Sequence, residues 1–420
     1  MFIRIFVVFF IVFVFWKITD ANNNLPPKAV IERKSPPMDL IYETAEAGSY
    51  LNQVRSRMNM QSLSHNKNLA SAAKAHALYL VANNESAHDE ITGNHHFTAV
   101  KPVERAIKFG YLSKVVTENL STNNHDARSS VDGLFSAIYH RFGFLSLTIN
   151  EIGVGLEQDK LDSDKSAFVY LMGNSDLNSH CAGKSFSAAG KYWKPCANES
   201  HRVKDKDFLK ASNVIKQNNP KIIFYPYDGQ SEVPPAFYAE IPDPLPDHEV
   251  SGFPVSVEFN DYFFKEIELI SFHLYDTEDN VVDVLFMDSD NDPHQLLTAH
   301  QFSIFPLKRL QYNQSYRAEI NYKVNGEVKT RSWQFRTKQV NEKLYVIKKN
   351  NDEITLEAKK SYVIYFEPSD AHDLIRDMQF PADVDVQFLD NNTIKLTIMS
   401  DDLDSFELRS DRKHLQVNVK

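Results

Sequence analysis

The segment Ser129–Leu156, SSVDGLFSAIYHRFGFLSLTINEIGVGL, constrains this chain more than any other stretch. Val131, Leu134, Phe135 and Ile138 fall at the offsets of one helix face, so an amphipathic helix is expected up to about Tyr139. Ser129, with Asp132 three residues on, offers a capping pair at its start. The chain then passes His140 and Arg141 and an apolar turn into Glu151-Ile152-Gly153-Val154-Gly155, which reads as a strand. An imidazole on the last turn of a helix, just before a strand, is placed to face a groove, although such a residue also serves to cap helix carbonyls.

The compartment is set near the N-terminus. Arg4 precedes the unbroken apolar run Ile5–Trp16, which is short for a bilayer span and right for a signal-peptide core. Thr19-Asp20-Ala21 is a mediocre cleavage site, so residues 1–21 read as a signal peptide or an uncleaved anchor. Membrane attachment would then run only through residues 5–16. Residues 22–38, rich in Asn and Pro, read as a linker. The only two cysteines are Cys181 and Cys196, and in an exported chain such a pair reads as a disulfide. A metal site there would need further partners, and only His180 is adjacent. A net charge of −10, with no basic stripe, speaks against a nucleic-acid partner. At 420 residues, with 29 Phe and 18 Tyr, the chain can fill more than one core.

Upstream of the opening segment, Asp39–Met60 is helical in pattern, with Leu51, Val54 and Met58 on one face. Leu69, Ala72, Ala73, His76, Ala77 and Leu80 mark a second helix over Asn68–Asn83, packed closely by its alanines. His76 lies on or beside its apolar face and reads as a buried imidazole bonded to backbone. A polar stretch with His88, His95 and His96 leads to Arg105-Ala106, Gly110-Tyr111 and Glu118-Asn119. A loop His, then RA, GY, EN, a helix ending in HR, and IGVG, in that order, resemble the CAP superfamily. That superfamily takes in the cysteine-rich secretory proteins, antigen 5 and the plant pathogenesis-related proteins. With AIYHR in place of the eukaryotic GHYTQ, the version here resembles its bacterial branch, over about Leu51–Met172.

The resemblance implies an α-β-α sandwich, with EIGVGL and AFVYLMG as core strands, and a cleft holding two His and two Glu. Carried over residue by residue, these are His88, Glu118 and His140, and the place about three residues before His140 holds Ala137 instead of an acid. The tetrad is thus short of one carboxylate. Two imidazoles and a carboxylate can bind a divalent metal such as zinc and leave a position for water. The same trio could polarise water by general-base catalysis, or the three could simply satisfy one another. No GxSxG elbow surrounds Ser121, and no Cys lies in this domain.

Beyond residue 175 the texture changes. Residues 176–219 read as a connector clipped by Cys181 and Cys196, and residues 220–338 as a β-sandwich, with strands at Ile222–Tyr225, Val255–Phe259 and Ala318–Val324. Val324-Asn325-Gly326-Glu327 signals a type I′ hairpin, and Pro242-Asp243-Pro244-Leu245-Pro246 cannot continue a sheet. Tyr316 followed by WQFRT on the next strand resembles a bacterial immunoglobulin-like domain. Asp288–Asp292 reads as an acidic turn, since an EF-hand would need Gly at Pro293 and Glu at Ala299. Residues 339–420 read as a small β-rich domain.

The expected class is therefore α+β: a CAP-like α-β-α sandwich over residues 39–175, an all-β immunoglobulin-like sandwich, and a small β-rich C-terminal region. The expected protein is secreted, periplasmic or on the cell surface. Its cleft would bind a ligand, a divalent metal or an envelope partner, whether protein, lipid or cell-wall material. The alternatives are an envelope hydrolase acting on protein or cell wall with the same residues, and a structural surface protein with a vestigial cleft.

Overall fold

The computed structural model describes residues 36–185, 189–370, 373–375, 378–410 and 413–420; the apolar N-terminal run and most of the expected linker lie outside the described residues. The first architecture contains helix α1 (Leu40–Arg57), strand β1 (Ser64–His65), helices α2 (Lys67–Asn83) and α3 (Pro102–Lys108) and strand β2 (Val116–Thr122). It continues through α4 (Ala127–Ser136), α5 (Ile138–Leu145), β3 (Glu151–Gln158), β4 (Ser166–Gly173) and α6 (Ser175–Ala182). Asp39 and Asn66 cap α1 and α2 with side-chain oxygens that accept from the first-turn amides. The strands form one sheet in the order β1-β3-β4-β2, which leaves β2 at an edge.

Alternation along the central strands sorts the two helix layers. Ile152, Val154 and Leu156 of β3, with Phe168, Tyr170 and Met172 of β4, pack with α1 and α4. Ala167, Val169 and Leu171 pack on the opposite side with Leu69, Ala72, Ala73 and Ala77 of α2. Between them, Gly153 and Gly155 let α2 lie directly on the sheet. A Cβ at Gly153 would sit 1.9 Å from the Ala70 nitrogen, and one at Gly155 would sit 2.2 Å from the Ala73 carbonyl carbon. The α-β-α sandwich thus follows from helix alanines facing strand glycines.

The helix expected to end at His140 is instead two helices. Ala137 is extended (φ −80°, ψ 118°), and α5 starts at Ile138, so His140 lies in the first turn of a helix and not in the last. The cap of α4 is Asp126, whose carboxylate accepts from Ser129 N; the expected Ser129–Asp132 pair is not formed, and Asp132 accepts from Tyr50 instead. Local periodicity cannot see this break, because the partner that caps α5 comes from far along the chain.

The connector carries the disulfide Cys181–Cys196 and folds back on the first architecture, where Ser113 bridges to Cys196. Two facing four-stranded sheets follow. One holds Val284–Met287, Gln301–Pro306, Val255–Phe259 and Ile222–Tyr225; the other holds Glu268–Tyr275, Ser315–Val324, Glu327–Thr337 and Gln230–Val233. Phe259 meets Tyr322 and Phe224 meets Trp333 between the sheets, at centroid distances of 4.9 and 4.3 Å. The hairpin at Asn325-Gly326 has both residues at positive φ, as a type I′ turn requires.

The change of texture near Lys221 does not close off a second core. Residues Lys34–Gln339 are one compact unit, and a single apolar cluster runs from Leu51 and Phe135 through Tyr225 and Val257 to Trp333. Phe135 of α4 stacks on Tyr225 at 4.8 Å. The second unit, Val340–Lys420, has its own core of Ile364, Phe366, Leu396, Leu415 and Val417 between a four-stranded and a three-stranded sheet. Among the described residues no helix is long and apolar enough to cross a membrane.

Candidate functional site

The site is built around the edge strand β2. Successive residues of a strand point to opposite faces, so Glu118 faces the α2 side and Asn119 the α5 side. Each holds one histidine. Glu118 accepts from His88 Nδ1 at 2.9 Å, and Asn119 Nδ2 donates to the His140 carbonyl at 2.7 Å. The His88 and His140 rings stack at a centroid distance of 6.4 Å and an interplanar angle of 23°. The structure therefore brings together His88, Glu118 and His140, which the sequence singled out. Their exposure differs: the side chain of Glu118 is 1% exposed, His140 13% and His88 45%.

Glu118 is the electrostatic centre. Arg105 of α3, fully buried, sends Nη2 to both carboxylate oxygens at 2.9 and 3.0 Å and to the His88 carbonyl at 2.8 Å. Burial pushes the Glu118 carboxyl up, but the His88 hydrogen bond and the Arg105 charge outweigh it and hold the group below the usual carboxylate range. His76 completes this layer: Nδ1 lies 3.0 Å from Glu90 Oε1 and Nε2 3.0 Å from the Ala87 carbonyl. With both nitrogens engaged and the ring fully buried, His76 is a packing residue.

On the other side His140 Nδ1 donates to Glu240 Oε2 at 2.8 Å, and the Ile138 amide donates to Glu240 Oε1 at 2.6 Å. Glu240 belongs to the β-rich region. It caps α5 with a negative charge at the positive end of the helix, a task the extended Ala137 has no side chain to perform. Arg141 bolts the same helix down. It donates to the Phe135 and Pro254 carbonyls and to Ser256, and its guanidinium lies 4.8 Å from the Tyr225 ring. Burial pushes the Arg141 guanidinium down to about 10, so it stays charged at neutral pH.

The remaining motifs are structural. Tyr111 of the Gly-Tyr pair donates to Glu151 Oε1 at 2.6 Å, against Gly173, where a Cβ would meet the phenol oxygen at 2.2 Å. His95, His96 and His125 are outside the convergent set. The Asp288–Asp292 turn is engaged within the protein: Asp292 accepts from the amides of His294, Leu296 and Leu297 and from the Tyr139 hydroxyl.

As three direct metal ligands, His88, Glu118 and His140 do not fit. Both oxygens of Glu118 are committed to Arg105, and among the described residues no group of three or more His, Cys, Asp or Glu has a metal-holding arrangement. Two imidazoles remain. Each gives Nδ1–H to a carboxylate, and neither Nε2 has a hydrogen-bond partner among the described residues. That is the carboxylate–histidine arrangement by which proteins orient metal-binding imidazoles. Arg105, Asn119 and Glu240 were not singled out from the sequence as site residues. The first two sit inside the RA and EN pairs, whereas nothing around Glu240 marks it beyond an acid just ahead of a proline-rich turn.

Fold and site together define an α-β-α sandwich with a histidine cleft over its open sheet edge. Residues 49–174 match the family model described as CAP, Cysteine-rich secretory protein family, and this segment of the chain is a CAP domain. Among solved structures, an outer surface protein from Borrelia burgdorferi is 18% identical, with 33% of this chain and 97% of that one covered and a TM-score of 0.29. An extracellular protein containing an SCP domain from Bacillus anthracis is 20% identical (33% and 44% covered, TM-score 0.28). A cysteine-rich secretory protein from Staphylococcus aureus is 17% identical (33% and 40% covered, TM-score 0.25). This chain thus spans less than half the length of the last two. No curated protein matches it.

Proposed function

We propose that this is an exported CAP-domain protein whose cleft takes a divalent cation such as zinc through His88 and His140, weakly and exchangeably. The observation that carries the reading is the pair of stacked imidazoles, each held by a carboxylate through Nδ1 and each with Nε2 unbonded among the described residues. Two protein ligands, not three or four, suit an ion that exchanges and keeps several waters. A zinc ion bound there supplies a Lewis-acid position. The chain's own residues orient the rings, and Arg105 keeps Glu118 ionised beside them. The disulfide supports an oxidising compartment, and the β-rich regions serve as spacers or envelope contacts.

Calorimetric titration of the full chain with zinc chloride tests this. His88→Ala and His140→Ala should each weaken binding more than tenfold, while His76→Ala should lower stability and leave affinity largely intact. Absence of zinc binding by the folded wild-type protein, or wild-type affinity in both cleft variants, would overturn the reading.

A further inference from the structure

Glu240 performs two tasks with one carboxylate, and both are on residues of the CAP domain. We propose that Glu240 is a positioning residue of the cleft: the β-rich region supplies the carboxylate that fixes the proton of His140 on Nδ1. This rests on reading the cleft as a cation site.

The placement is specific. The Glu240 side chain is 6% exposed, and its two oxygens are fixed separately by Ile138 N and His140 Nδ1, which sets the plane of the carboxylate against the ring. Its loop is anchored on both sides. Ile138 of α5 shares an apolar cluster with Phe237 and Leu245, which flank Glu240 in the chain, and with Phe305. Tyr139 donates to Asp292 and packs edge-on against His294, whose Nε2 donates to the Asp243 carbonyl at 2.8 Å. The carboxylate thus reaches His140 from a seat that is itself packed on the helix bearing that histidine.

The chemistry follows from what a carboxylate can do. It accepts and does not donate, so the neutral His140 ring that meets it must carry its hydrogen on Nδ1 and keep a lone pair on Nε2. An imidazole ligates a cation through such a lone pair. Glutamine at position 240 would keep an oxygen for the Ile138 amide but turn an NH2 toward Nδ1. The favoured tautomer would then be Nε2–H, with no lone pair on Nε2 to offer, the same failure that an Asp-to-Asn change produces behind a catalytic histidine.

The test compares full-length wild type, Glu240→Gln, Glu240→Ala and, as a packing control, Asp292→Asn. Side-chain 15N NMR should show His140 as the Nδ1–H tautomer in wild type and in Asp292→Asn. In Glu240→Gln it should be largely Nε2–H, with zinc affinity down about 10- to 100-fold and the fold intact. If Glu240→Ala does not fold, Glu240→Gln decides. An unchanged His140 tautomer in a folded Glu240→Gln protein overturns the proposal, whether or not affinity falls. A wild-type protein that binds no zinc overturns the cation reading alone, since the tautomer still reports on Glu240.

Discussion

His88 and His140 each give a ring N–H to a buried carboxylate, but those carboxylates are 30 and 100 residues away respectively. The first pair is internal to the CAP domain and held several times over. Arg105 clamps both the acid and the histidine backbone, and His76 and Glu90 pack behind it. The second pair rests on one acid from a different architecture and on the seam that brings it there. The comparison teaches that a cleft with matched chemistry on its two sides can have one side written into a domain and the other into an interface.

The largest effect should come from breaking the first pair. Arg105→Met would leave Glu118 buried without its cation and should cost about 3 to 5 kcal/mol in urea unfolding. Survival of wild-type stability would mean that the His88 bond alone carries Glu118. Arg141→Met tests the second pair through the seam: losing the bonds to Phe135, Pro254 and Ser256 should cost about 3 kcal/mol. If the two pairs are as independent as their construction suggests, it should disturb the His140 NMR signals and leave those of His88 in place.

A pH series separates the two regions further. Glu118 is held below its usual range, so its contribution is present above the unfolded-state value of about 4.3 and is lost as pH falls through the lower folded value. Glu258, in the sandwich strand near Arg55, behaves oppositely. Burial pushes it up to about 8, and its Oε2 has no hydrogen-bond partner among the described residues. Between about pH 4.3 and 8 the unfolded chain ionises this group while the folded chain keeps its proton, so stability falls as pH rises. Glu258→Gln should therefore raise stability at pH 8 and do so much less at pH 5. Equal gains at both values would remove burial as the cause.

The smallest change is Gly143→Ala. Its new Cβ would lie 2.6 Å from Asn119 Oδ1, so Asn119 must shift its hold on the His140 carbonyl, at about 1 kcal/mol. A loss of stability with unchanged zinc affinity would show that Glu240, not Asn119, sets the ring.

Much of the first side of the cleft was legible because each motif does its work locally. Glycines alternate with Ile152 and Val154 because α2 must lie on the sheet, and Gly110-Tyr111 marks a buried phenol over Gly173. Glu118-Asn119 puts one polar side chain on each face of an edge strand. The helix break at Ala137 was not legible, since periodicity runs through it and the cap that permits it is supplied from position 240.

By itself, the sequence determined the first helices and the β texture of the remainder, because periods of 3.6 and 2 and fixed turn residues are local properties, while the α-β-α sandwich and the choice of His88, Glu118 and His140 came from the resemblance to the CAP superfamily. The tertiary structure alone decided that Glu118 belongs to Arg105 rather than to a metal, and that one core joins residues on either side of Lys221. It also decided that the acid held by His140 is Glu240, from the β-rich region. Those outcomes depend on which distant groups meet when apolar surface is buried, and a pairing across 100 residues leaves no period in the chain to read.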